Sequence, residues 1–124
     1  MLNKTVILLV VMSVLGLSGC CKDETVTQMD SPNKAFLAVL FVRDCGATDV
    51  EHTLITLKSN SSWLGTKETI FVTKYDHQPK MRWKSDSELV VYCPGCKPEE
   101  VRLQKTKFRS VTIDYKFGVA GLGY

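Results

Sequence analysis

Short blocks of apolar residues, separated by turn-forming residues, run through most of this chain and predict strands rather than helices. Ala35 to Val42 is a continuous apolar run between turn formers, the pattern of a central strand buried on both faces. Further strands are predicted over Thr53 to Leu57, Thr69 to Tyr75, Lys80 to Lys84, Glu88 to Cys93, Val101 to Phe108 and Val111 to Phe117. The last is the clearest: Val111, Ile113, Tyr115 and Phe117 alternate with Thr112, Asp114 and Lys116 at the two-residue period of a half-buried strand. Turn signals fall between the runs at Cys45-Gly46, Asn60-Ser61-Ser62, Leu64-Gly65, Ser85-Asp86-Ser87 and Pro94-Gly95. No window carries an amphipathic helix. The expected fold class is all-β, a small antiparallel sandwich or partial barrel of about six or seven strands.

The N-terminal pattern is different. Lys4 precedes an apolar run from Val6 to Leu17. The run is too short to span a bilayer, which takes about 20 apolar residues, and has the form of a secretory signal instead. It ends at Leu17-Ser18-Gly19-Cys20, which resembles the lipobox of bacterial lipoproteins. The resemblance implies that the Cys20 thiol receives a diacylglycerol, that a peptidase cuts before Cys20, and that the new amine is often acylated as well. Two or three chains are needed because one acyl chain, at about 0.8 kcal/mol per buried methylene, holds only marginally. An ordinary secreted protein with a plain thiol at Cys20 is the competing reading; it leaves unexplained why the apolar run stops where a lipobox would sit. The residue after Cys20 is Cys21 rather than Asp. By resemblance to enterobacterial sorting rules this favours the periplasmic face of the outer membrane in a Gram-negative cell.

These signals divide the chain into a signal peptide over 1–19, a lipidated cysteine and polar flexible tether over 20–31, a β domain over 32–117, and a glycine-rich mobile tail over 118–124. A domain of this size has a modest core, so covalent restraint would help it. Charge adds little: the formal net charge is +3, from 16 basic and 13 acidic residues, and losing Lys4 leaves 15 against 13, or +2. That balance argues against a nucleic-acid partner.

Two local resemblances were carried by turns. Ser31 to Val39 and Trp83 to Val91 look like the turn and strand of blades in bacterial periplasmic propellers, but two partial repeats cannot close a propeller of about four to eight blades, so they imply hairpins only. Arg43-Asp44-Cys45-Gly46-Ala47-Thr48, with the Trp83 turn and the terminal Val-x-Ile-x-Tyr strand, resembles a family of small uncharacterised bacterial proteins and lipoproteins. This implies a shared fold and no particular activity.

With Cys20 assigned to lipid, Cys21, Cys45, Cys93 and Cys96 remain in an exported and therefore oxidising setting. Cys93-Pro94-Gly95-Cys96 has thioredoxin-like spacing, but it ends a strand and opens no helix to stabilise a thiolate. Half a zinc site, completed by Cys45 with His52 or His77, lacks a second CxxC. The favoured reading is structural: Cys45 bonds Cys93 or Cys96, at the ends of two strongly apolar strands; the competing arrangement closes Cys93 on Cys96. Lys80, Arg82 and Lys84 share one face of a predicted strand, and Lys105, Lys107 and Arg109 one face of another. Such stripes suit an anionic surface near the anchor and equally a solvated face with edge-protecting lysines. His52 and His77 have no triad partner at a telling spacing, and Asp44 before Cys45-Gly46 is expected to be a turn former. Trp83 is expected to be more shielded than Trp63. No catalytic residue, metal or cofactor other than the covalent lipid is assigned. The expected function is a membrane-tethered, non-catalytic envelope module that meets an unknown envelope protein or anionic surface; the alternative is a thiol-disulfide redox protein using Cys93 and Cys96.

Overall fold

The structure, a computed structural model, describes residues 21–46, 49–60 and 65–118. The expected signal peptide, Cys20, Ala47-Thr48, Trp63 and the tail beyond Gly118 lie outside the described residues. The described chain is all-β apart from a 3-10 turn at Pro98–Glu100. Its strands are β1 (Lys22–Asp30), β2 (Phe36–Asp44), β3 (His52–Ser59), β4 (Lys67–Lys74), β5 (Lys80–Ser85), β6 (Glu88–Cys93), β7 (Val101–Gln104), β8 (Lys107–Phe108) and β9 (Val111–Phe117). They form a five-stranded sheet in the order β1-β2-β3-β4-β7 and a four-stranded sheet in the order β5-β6-β9-β8, which do not close into a barrel.

Four sequence expectations are corrected by this arrangement. The expected tether is a strand: β1 pairs with β2 from Lys22 opposite Asp44 to Asp30 opposite Leu37. Its charged residues hid it, because only Thr27 and Met29 turn even partly inward. The single strand expected over Val101 to Phe108 is two, since the chain leaves the five-stranded sheet after Gln104 and enters the other at Lys107. The fold is not wholly antiparallel: β6 and β9 run parallel, linked by the crossover that contains β7 and β8. Finally, the strand buried on both faces is β3, where Thr53 to Leu57 are all buried, whereas β2 buries only alternate residues Phe36, Ala38 and Leu40 fully.

Inward side chains of both sheets meet in one core containing Leu40, Ile55, Leu57, Ile70, Phe71, Leu89, Val91, Val111 and Ile113. Phe71, fully buried, has the Tyr115 ring 5.4 Å and the Phe117 ring 5.8 Å away. The sheets are joined on one side by β7 and β8. There the Lys105 amide donates to the Ile70 carbonyl, and the Tyr115 hydroxyl lies 2.6 Å from the Lys105 carbonyl and 3.1 Å from that of Ile70. On the other side they touch more sparsely, through Trp83 Nε1 donating to the Met29 carbonyl and the Asn33 amide donating to the Asp86 carboxylate. The last contact joins the two propeller-like turns to each other.

Burial pushes the Tyr115 phenol well above its ordinary value of 10.0. The native state therefore holds the proton more tightly than the unfolded chain. The stability linked to it is fully present below about pH 10 and is lost as pH rises further. Tyr115→Phe removes the donor that serves the Lys105 carbonyl and should cost about 1–3 kcal/mol. Urea unfolding at neutral pH measures the loss, and the same titration repeated above pH 10 should show the gap between variant and parent narrowing.

Candidate functional site

The end of the sandwich where β1 begins gathers most of the chemistry that the sequence offers. Cys21, just before β1, is bonded to Cys45, just after β2. The adjoining rung pairs Lys22 with Asp44, so the bridge fastens the open end of the β1–β2 hairpin. Cys93 is bonded to Cys96 across Pro94-Gly95. The expected Cys45 bridge to Cys93 or Cys96 is thereby corrected. Cys45 follows β2 in the five-stranded sheet and Cys93 ends β6 in the other, while the antiparallel register of β1 sets Cys21 directly opposite Cys45. No thiol is left over among these four cysteines. Nothing in the sequence marks Cys21 as the partner of Cys45, because a polar tether gives no register to set the two opposite each other.

Around the first bridge the side chains are polar and exposed. Arg43 forks onto Asp23 with Nε 2.8 Å and the second nitrogen 3.1 Å from the two carboxylate oxygens. The Arg43 hydrogen bond holds the Asp23 carboxyl below its ordinary value; exposed at the surface, such a pair adds little to stability. Asp44 accepts the Gly46 amide at 3.0 Å, the turn-forming role expected of it. The second bridge is different: Cys93 is fully buried and Cys96 nearly so. His77 lies against Gly95, where an added Cβ would come within 3.3 Å of Nδ1, and His77 Nε2 is 3.4 Å from Glu100 Oε1. Both of these atoms are buried without a hydrogen-bond partner of good geometry among the described residues. Among the described residues no group of three or more His, Cys, Asp or Glu side chains is placed to hold a metal.

Between the free edges of β1 and β5 runs a groove of about 480 Å³, lined by Val26, Met29, Leu40, Pro79 and Met81 with the polar Thr27, Asp76, Gln78 and Lys80. On its wall β1 bulges at Val26, where the register slips between Thr25 and Thr27 and leaves Val26 outside the ladder and exposed.

The basic residues divide. Lys80 and Arg82 stand beside Tyr92 and Val90 on the outer face of the four-stranded sheet, with Lys116 and Asp114 on the far side. Val90 and Tyr92 are buried although they point outward, which fits coverage by the long stems of these neighbours. Lys84 lies near Glu88. This is an outer face of mixed charge. The second set does not share a face: Lys105 sits between strands and pairs with Glu68, Lys107 is in β8, and Arg109 occupies the β8–β9 turn with φ of 54°, its guanidinium donating to Thr66.

Two exposed residues that sequence reasoning did not single out lie at the Cys21 end. Val50 and Tyr75 are 37% and 46% exposed, and the Tyr75 amide donates to the carbonyl of Glu51, the residue after Val50. Only their exposure marks them, and exposure is set by where the strands end.

The Cys21–Cys45 bridge closes a separation of 24 residues, worth about 3 kcal/mol by the chain-entropy estimate. Cys45→Ala should lower the melting point by about 10 °C or more for a domain of this size, read by calorimetry. The same protein should retain its Cys93–Cys96 bond in non-reducing peptide maps.

No protein-family model, no curated protein and no solved structure matches this chain.

Proposed function

We propose that this chain is a bacterial lipoprotein, exported, acylated on Cys20 and held at the cell envelope, whose β sandwich is a non-catalytic structural or interaction module. The observation that carries the reading is the Leu17-Ser18-Gly19-Cys20 sequence placed directly before the residue that a disulfide fastens to the fold. Two disulfides among the described residues suit an oxidising compartment, which an exported chain enters. With Cys21 after the anchor residue, the proposed location is the periplasmic face of the outer membrane in a Gram-negative cell.

A thiol-disulfide exchange role for Cys93 and Cys96 is the weaker reading. An attacking thiolate must reach a sulfur, and burial of both cysteines works against that. The turn that follows, Pro98–Glu100, is also a single 3-10 turn and supplies little of the dipole that stabilises a thiolate. Cells fed labelled palmitate and separated on a density gradient test the proposal: label should co-migrate with the protein in the outer-membrane fraction. Unlabelled protein in the soluble periplasmic fraction would refute it.

A further inference from the structure

Once Cys20 is taken as the anchor, the position of the Cys21–Cys45 bridge fixes more than attachment. No residue separates the acylated position from the disulfide, and β1 starts at Lys22. The sandwich therefore has no tether: the end that carries Cys21 is held within a residue or so of the bilayer surface, while the opposite end, with the turns at 31–34, 85–87 and 109–110, points away.

The surface at the anchored end has the composition of a shallow membrane contact. The large exposed hydrophobic residues among those described are Val26, Val50 and Tyr75. Val50 and Tyr75 lie on the rim formed by the start of β1, the end of β2, the start of β3 and the end of β4. With strands about 4.8 Å apart, Tyr75 stands roughly 15 Å along that rim from Cys21. Tyr75 is also held in a strained backbone, with φ of 67°. Two hydrogen bonds, one from the residue before β3 and one from β3, keep it there: its amide donates to the Glu51 carbonyl at 2.6 Å, and its carbonyl accepts the Thr53 hydroxyl at 2.8 Å. A left-handed backbone in a non-glycine residue costs about 1–3 kcal/mol and persists where surrounding bonds enforce it. Those bonds fix the backbone that carries the ring, which meets the His77 ring edge-on at 5.9 Å and still leaves Tyr75 46% exposed at the end where the lipid leaves. Tyrosine, apolar in body and polar at its tip, is enriched at the headgroup level of membranes.

We propose that this end of the sandwich lies against the bilayer, with Tyr75 and Val50 entering the headgroup layer. The charges decide the lipid class. Glu24, Asp44, Asp49, Glu51 and Asp76 are exposed near the rim, against Lys22 and the half-buried Lys74, while Arg43 and Asp23 there neutralise each other. Anionic headgroups would be repelled, so the surface suits zwitterionic phospholipid, and the basic face at Lys80, Arg82 and Lys84 stands to the side rather than in the contact. This inference rests on the reading of Cys20 as the lipid anchor.

The test uses the full acylated protein in phosphatidylcholine vesicles that contain a lipid brominated near the top of its acyl chain, a short-range quencher of tryptophan. In a Trp63→Phe, Trp83→Phe background, Tyr75→Trp should be quenched severalfold more than Ser110→Trp, which reports from the exposed turn at the far end. Hydrogen exchange of the unaltered acylated protein, with and without vesicles, covers the case of a misfolded variant: amides at 49–52 and 74–76 should slow and those at 85–87 should not. Protein that floats with the vesicles but shows equal quenching and no slowing overturns the membrane contact alone, and leaves that rim open to a protein partner. Protein that does not float at all overturns the lipid anchor and this inference with it.

Discussion

Replacing Cys20 with Ser should leave the full-length chain as uncleaved precursor, and the same variant without its signal should be released from the membrane almost completely. The size of the effect follows from the anchor. Two or three acyl chains at about 0.8 kcal/mol per buried methylene hold a protein durably, while the polar contacts of a small domain do not. Among the described residues no helix is long and apolar enough to cross a membrane, and two side chains at the β3–β4 rim cannot replace acyl chains. The variant should therefore move from pellet to supernatant once its uncleaved signal is removed by truncation, and full-length variant should migrate as the heavier precursor. Fractionation with immunoblotting reads both. A Cys20→Ser protein that is still cut and still pelleted with membranes would show that something other than this cysteine holds it there.

Phe71→Ala should have the largest effect on folding of any single core substitution. Phe71 is fully buried in β4, and the Tyr115 and Phe117 rings of β9 lie on it from the opposite sheet. Truncation removes the side chain that fills the space between the sheets and leaves a cavity, at a cost of about 3–5 kcal/mol. The whole stability of a small domain is about 5–15 kcal/mol, so most of it would go. Denaturant unfolding should show a midpoint well below that of the parent. Phe117→Ala, at the half-buried edge of the same cluster, should cost clearly less. Equal losses at the two sites would mean that the aromatic cluster is not centred on Phe71.

Much of the strand pattern was legible because it rests on local alternation. Val111 to Phe117 and Glu88 to Cys93 form strands with the expected bounds, and the Asp44 turn forms for the reason expected. What was not legible depends on pairing. Only Thr25-Val26-Thr27 in Lys22 to Asp30 favours a strand, among charged and polar residues; the whole segment becomes one because β2 offers nine residues to bond against, with Asp23 and Arg43 facing across the rung. The parallel pairing of β6 and β9 follows from a crossover whose path through β7 and β8 leaves no period in the sequence. The Cys93–Cys96 closure was one of the arrangements the sequence offered, but the partner of Cys45 was not legible: the choice of Cys21 is a consequence of register, so a missed strand meant a missed disulfide. The candidate contact surface was illegible too, because Val50 and Tyr75 are ordinary residues until the strands end beside them.

The most direct measurement is intact mass spectrometry of the mature N-terminal peptide from the native membrane, prepared under non-reducing conditions. The expected species begins at Cys20, carries a diacylglyceryl thioether with or without an acylated amine, and has Cys21 joined to Cys45. A mature chain that begins at any other residue, or begins at Cys20 with an unmodified thiol, would contradict the lipoprotein reading.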